Sequence, residues 1–280
     1  MTTINLEGAI EVVQSTDPGM VRQQNEDAVA SNGALGLVIL ADGMGGHNAG
    51  EVASGMAITM LKTEMERRFA ERDPSAVVNE GRPYAHDVLA EEVARANTAI
   101  FQAARSQPQY SGMGTTLVAA VFHDNRATVA HVGDSRMYRL RGGELTSVTK
   151  DHSLLQEQID AGMLTPEQAR ASHNRNLVTR ALGVDPIVVP DVQTIEVQIG
   201  DIYLLCSDGL NDMVEDDEIG MTISMLAANL PLAATQLVQV ANDNGGRDNV
   251  SVILVKIKQE FGATRGLLAR VKAMFAGWFK

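Results

Sequence analysis

The chain has 280 residues, 45% of them hydrophobic and 21% charged, with a formal net charge of −12 at pH 7. That length can bury a sizeable core, and the composition excludes a disordered chain. The acidic balance argues against non-specific nucleic-acid binding, and the single cysteine, Cys206, excludes an internal disulfide.

In chain order, Met1 to Ile10 lacks a basic region followed by a long apolar run, so no signal peptide is expected. No stretch reaches the ~18 consecutive apolar residues of a membrane span, and the expected compartment is the cytoplasm. Leu35 to Ala41 is a continuous apolar run ending in Asp-Gly. Residues 50–69 place Val52, Met56, Met60 and Met65 at helical spacing, and residues 87–105 repeat the signal with Val88, Leu89, Val93, Ala96, Ile100 and Phe101. Pro74, Gly81 and Pro83 mark a loop between them. Thr115 to Phe122 and Ala127 to Val132 read as a hairpin about His123-Asp124-Asn125. Met137 to Leu140 follows, then a turn at Arg141-Gly142-Gly143. Residues 151–182 mix helix and loop, with Thr165 as a helix N-cap. Strands are expected at 192–198, 201–207 and 250–257, and helices at 216–228 and 231–242. This order predicts an α+β layered domain with antiparallel pairing.

Two segments look alike. Leu37 to Gly43 and Ile202 to Gly209 each run as an apolar strand, a small residue and then Asp-Gly. A buried strand fixes the backbone and projects its last carboxylate at the sheet rim, and glycine lets a bare carbonyl approach a ligand. Carboxylate and carbonyl oxygens suit Mg²⁺ or Mn²⁺. Asp134, Asp248, Glu26 and Asp27 lie in comparable settings, and such acids cannot all ionise close together without cations. A lone Asp-Gly is more often only a turn.

The strings around these acids narrow the reading. Asp42-Gly43-Met44-Gly45-Gly46-His47, Ser111-Gly112-Met113-Gly114-Thr115-Thr116, Gly133-Asp134-Ser135-Arg136, Ser207-Asp208-Gly209-Leu210 and Gly246-Arg247-Asp248-Asn249 occur in one order. Arg22 followed by Glu26-Asp27 completes the set. The series resembles the signature motifs of the type-2C (PPM) protein phosphatases over roughly residues 8–257. It is most similar to the bacterial branch, which also carries an Asp-His-Ser stretch, here Asp151-His152-Ser153.

The resemblance implies two packed antiparallel β-sheets flanked by helices on both faces. It implies hydrolysis of phosphoserine and phosphothreonine on proteins by water activated at a binuclear Mn²⁺ or Mg²⁺ centre, opposing a Ser/Thr kinase. Asp42 would bridge the two cations and the Gly43 carbonyl would bind one of them, with Asp208 and Asp248 completing the pair. Asp134 would serve a third, weaker cation together with Asp208. Arg22 would hold the substrate phosphate, and Glu26, Asp27 and Asn249 would orient the ligands or act through waters. Met44 stands where some members of the family carry a histidine proposed as general acid, so no general acid is assigned. His47, three residues on, reads first as a loop histidine.

The other histidines are weaker signals. His131 reads as a packed or hydrogen-bonded strand residue, and Cys206 as a buried strand residue. Gln156, Glu157, Asp160 and Glu167 read first as a solvated helical face, with a role in substrate choice as the second reading. Residues 256–280 hold six basic residues against one acid, Glu260, and Leu267, Leu268, Val271, Met274, Phe275 and Trp278 recur at helical spacing. The chain therefore divides into a catalytic domain at 8–257 and a basic amphipathic tail at 258–280. Contact of 263–280 with an inner-membrane surface or a partner is one expectation, and docking on its own domain is the other. A monomer acting on phosphoproteins is expected. An aspartate-nucleophile hydrolase is disfavoured because Asp42-Gly43-Met44 lacks its Asp-x-Asp pair, and an inactive binding module because Asp42, Asp208 and Asp248 are all present.

Overall fold

The central strands are apolar on both faces, which places them inside a layered structure with no solvent-facing side. In the computed structural model, which describes residues 5–262 except 47–48, 79–80, 166–167 and 169–176, each such strand feeds two cores. Strand β1 is Ile10–Asp17, β2 is Asp27–Asn32, β3 is Leu37–Met44, β4 is Gly114–Thr115, β5 is Leu117–His123 and β6 is Arg126–Val132. Strand β7 is Arg136–Arg141, β8 is Glu144–Ser147, β9 is Asp191–Glu196, β10 is Ile202–Cys206 and β11 is Val250–Ile257. The helices are α1 (Ala49–Glu71), α2 (Tyr84–Ser106), α3 (Leu154–Asp160), α4 (Asp208–Asn211), α5 (Asp216–Met225) and α6 (Leu230–Asp243).

One sheet runs β1-β11-β10-β7-β8 and the other β2-β3-β5-β6-β9, with β4 paired to the end of β3. Every pairing between strands is antiparallel. Period-two alternation sorts the side chains. From β3, Leu37, Ile39 and Ala41 meet residues of α1 and α2, while Val38 and Leu40 join Tyr203, Leu205, Ile253 and Val255 between the sheets. From β10 and β11, Leu204, Cys206, Val252 and Leu254 pack with residues of α5 and α6. The result is the α+β sandwich that the motifs implied.

Three strands were not anticipated: β1, β2 and β8. Each lies at a sheet edge, where one neighbour is missing and polar side chains are tolerated. Strand β2 is half-buried along its whole length, so it carries no alternation to read. The buried stripe of α1 also differs from the expected one. Ala53, Ala57, Leu61 and Met65 face the core, and Val52, Met56 and Met60 flank it partly buried. Small residues let the helix approach the sheet closely, which a search for large apolar residues does not register. The hairpin at 123–125 is present, with Asp124 and Asn125 at φ of 47° and 54°. Aspartate and asparagine accept this left-handed geometry more readily than most residues. The Thr165 cap is supported by a reciprocal pair, in which the Gln168 amide donates to Thr165 Oγ1 and the Thr165 amide to Gln168 Oε1. His47, Glu167 and the tail from 263 lie outside the described residues.

Candidate active site

Antiparallel pairing brings the expected acids to one end of the sandwich. Asp27 opens β2 and stands opposite Asp42 near the end of β3. Asp134 follows β6, Asp208 follows β10, and Asp248 precedes β11. Both sheets contribute, so the carboxylates meet across the seam between them.

The backbone around Asp42 is held by hydroxyl groups. The Asp42 amide donates to Thr116 Oγ1 (3.1 Å), and the Asp42 carbonyl accepts from Thr115 Oγ1 (2.8 Å) and the Thr116 amide (2.9 Å). Gly43 donates its amide to the Glu26 carbonyl at 3.2 Å. A Cβ at Gly43 would lie 2.2 Å from the Gly50 carbonyl and 2.5 Å from that of Glu26, so the packing of these loops requires glycine there. A Cβ at Gly209 would similarly lie 2.0 Å from the Asn249 carbonyl.

Asn249 straps the loop of Arg22 to the sheet. Its Nδ2 donates to the carbonyls of Pro18 and Gln24, and its Oδ1 accepts from the Glu26 amide. Arg22 is about half exposed at the rim, and its Nη2 lies 2.7 Å from Asp248 Oδ2. That hydrogen bond holds the Arg22 guanidinium pKa above its usual value. Ser207 Oγ donates to Asp27 Oδ2 at 2.8 Å and accepts from the Ser251 amide at 3.0 Å. Asp27 Oδ1 is buried without a hydrogen-bond partner.

The electrostatics match this crowding. Burial pushes Asp42 well above the ordinary carboxylate range, and Asp27, Asp208, Asp134 and Asp248 push it further. Asp208 is raised for the same reason, first by burial and then by Asp134, Asp212 and Asp248. Burial lifts Asp27 to about 6, and burial followed by Asp151 lifts Asp134 to about 6. Burial also raises Glu26 against the opposing charge of Arg22. Cations bound among these carboxyls would offset the repulsion that raises them. The donor set is oxygen throughout, the chemistry of Mg²⁺ and Mn²⁺ rather than of softer metals.

A cavity of about 420 Å³ opens beside Asp134 and Asp208 and is walled by Arg136, Lys150, Asp151 and Gln156. Gln156 therefore faces the site, although its amide bonds Asp160 along the exposed side of α3. Arg136 grips Asp151 through Nε and Nη2 and donates to the Tyr138 hydroxyl. Cys206 is fully buried and its thiol is pushed by burial up to about 12, so it is no nucleophile. The expected site residues thus come together. The hydroxyls of Thr115, Thr116, Ser207 and Ser251 were not singled out, although three of them adjoin the motif acids or follow the motif glycine in sequence.

A sequence model of the family described as protein phosphatase 2C matches residues 19–249. Protein phosphatase PhpP of Streptococcus pneumoniae is 39% identical over 256 residues, covering 90% of this chain and 99% of that protein. Serine/threonine protein phosphatase PstP of Mycobacterium tuberculosis is 40% identical over 258 residues, covering 91% of this chain and 46% of that protein. The chain thus spans about half the length of PstP. A crystal structure of the PstP catalytic domain in complex with two manganese ions superposes with a TM-score of 0.75 at 38% identity, covering 89% of this chain and 99% of that one.

Proposed function

From the membership of this chain in the protein phosphatase 2C family, we propose that it removes phosphate from serine and threonine side chains of proteins, opposing a Ser/Thr kinase. The observation that carries this reading is the convergence of Asp27, Asp42, Asp134, Asp208 and Asp248 from both sheets, with Arg22 at the rim. The manganese-containing PstP structure supports two cations here. Asp42, the Gly43 carbonyl, Asp208 and Asp248 would hold the pair, and Asp134 with Asp208 a third. When bound, the cations supply an activated water and positive charge for the phosphoryl oxygens.

The remaining roles belong to the chain. Arg22 offers a planar fork of N–H donors to the phosphate, and its half-exposed position leaves it reachable from solvent. Asn249 holds the loop that carries Arg22 and sets its distance from Asp248. Ser207 and Thr116 fix the orientation of Asp27 and the backbone of Asp42. Met44, at the end of β3, supplies no proton, so no side chain is assigned as general acid.

The test is hydrolysis of a phosphothreonine peptide with Mn²⁺ or Mg²⁺, with chelator, and with Asp208→Ala. Activity that persists in chelator, or is unchanged in the variant, contradicts the reading. The domain spans residues 8–257, and the basic tail directs the enzyme to an anionic membrane surface. Pelleting with anionic liposomes tests the tail: full-length protein is expected to sediment and a 1–258 truncation to stay in solution. Equal partitioning removes this role.

A further inference from the structure

His131, His152 and Asp191 form a cluster beside the acidic site that the proposed hydrolysis does not use. Their potential ligand atoms all lie within 4.8 Å of one another, which first suggests a metal centre. The hydrogen bonds argue otherwise. His131 Nε2 lies 2.8 Å from the Lys150 carbonyl, which can only accept, so that nitrogen carries the proton. His152 Nδ1 accepts from the Gly133 amide at 3.1 Å, so its proton sits on Nε2, which faces Asp191 Oδ2 at 3.3 Å. A cation on Nε2 would force the proton onto Nδ1, against the Gly133 N–H. Burial lowers the pKa of both imidazoles, in keeping with neutral rings that can accept.

What the cluster does hold is Gly133, the residue before Asp134. His152 takes both of its polar backbone groups: the ring accepts from the Gly133 amide, and the His152 amide donates to the Gly133 carbonyl at 2.9 Å. Gly133 sits at φ +106°, and a Cβ there would lie 2.7 Å from the Thr116 side chain. The turn therefore requires glycine, and His152 grips it. The ring in turn is fixed. It is 4% exposed, stacks on His131 at 4.7 Å with planes 20° apart, and faces Asp191, which Arg180 holds at 3.2 Å. The His152 carbonyl accepts from the Thr179 amide, and the next residue but one, Leu154, bonds the Leu177 carbonyl. His152 therefore joins the Asp134 turn to Thr179, and Leu154 ties the same stretch to Leu177.

We propose that His152 is a positioning residue for Asp134, clamping the Gly133 peptide so that the Asp134 carboxylate stands ready for the third, weaker cation. This rests on the reading of Asp134 as a ligand. The experiment uses the full chain as His152→Ala, His152→Asn and Asp134→Ala, with Mn²⁺ calorimetry and amide hydrogen exchange at Gly133. Asparagine places Oδ1 where Nδ1 stood, so it keeps the bond to the Gly133 amide and drops the contact with Asp191. His152→Ala is expected to weaken the weak Mn²⁺ site by about 10-fold or more, leave the tight pair unchanged, and speed Gly133 exchange. His152→Asn is expected to restore both. Equal damage by alanine and asparagine, or unchanged Gly133 protection in His152→Ala, overturns the proposal. Zn²⁺ binding lost in His152→Ala and kept in Asp134→Ala would make the cluster a metal site and also overturn it. If Asp134→Ala leaves every Mn²⁺ site intact, the ligand reading fails, and the Gly133 exchange then decides the clamp by itself.

Discussion

The two ends of the sandwich carry buried aspartates with opposite electrostatics. At the end away from the site, the Asp201 side chain is 1% exposed, and Arg141 reaches both its oxygens at 2.7 and 2.6 Å. Burial pushes Asp201 up, but Arg141, the Gln198 amide and the Tyr203 hydroxyl bring it below the usual carboxylate value. At the other end, burial pushes Asp42 and Asp208 up, and the nearest strong influences are further carboxylates. Burial is thus common to both ends, and the partner decides. A buried acid with an arginine is structure, whereas buried acids facing one another are a site built for cations.

The comparison predicts opposite outcomes for the same chemical change. Asp42→Asn or Asp208→Asn is expected to cut kcat/KM toward a phosphopeptide by about 10²–10³-fold or more, while raising the melting temperature of the chelator-treated protein. Asp201→Asn is expected to leave kcat/KM unchanged and to destabilise by about 1–3 kcal/mol, less than for a fully buried pair because Arg141 is about one-third exposed. Denaturant melts and steady-state kinetics on the three variants would show whether the ends differ as described.

Next in size is Arg22→Ala, expected to raise KM about 10-fold with a smaller loss in kcat, since a phosphate contact at the rim serves binding as well as the transition state. Initial-rate kinetics over a range of phosphopeptide concentrations separate the two. Smaller still is the pH effect. Carboxyls with raised native pKa bind protons more tightly when folded, so the metal-free protein loses stability as pH rises above the unfolded value near 4, through the values of about 6 at Asp27 and Asp134. Asp201 has the opposite sign: its contribution is present above the unfolded value and is lost as pH falls through its lowered native one. The Mn²⁺-induced rise in melting temperature is therefore expected to be larger at pH 8 than at pH 6, as differential scanning calorimetry can measure.

The same contrast explains what could be read from the chain. Asp42, Asp134, Asp208 and Asp248 were legible because each sits at a strand end beside glycine, serine or asparagine, a local pattern that topology then gathers. The central strands were legible because both faces are apolar. Edge strands β1, β2 and β8 were not, because a strand with one neighbour needs little apolar surface. The core stripe of α1 was hidden behind alanines, whose small size is what lets the helix sit close to β3. Partner choice was not legible at all. Nothing near Asp201 in sequence points to Arg141, and nothing near His152 points to Gly133, since these contacts arise from the packing of distant segments.

The most direct measurement is the stoichiometry of tight Mn²⁺ binding by calorimetry at neutral pH, for the wild-type chain, Asp42→Asn and Asp201→Asn. Two tight cations in the wild type and in Asp201→Asn, with the tight pair lost in Asp42→Asn, is the result predicted here. Tight binding in Asp42→Asn equal to that of the wild type, or no tight cation in any of the three, would contradict the assignment of the acidic end as a cation centre.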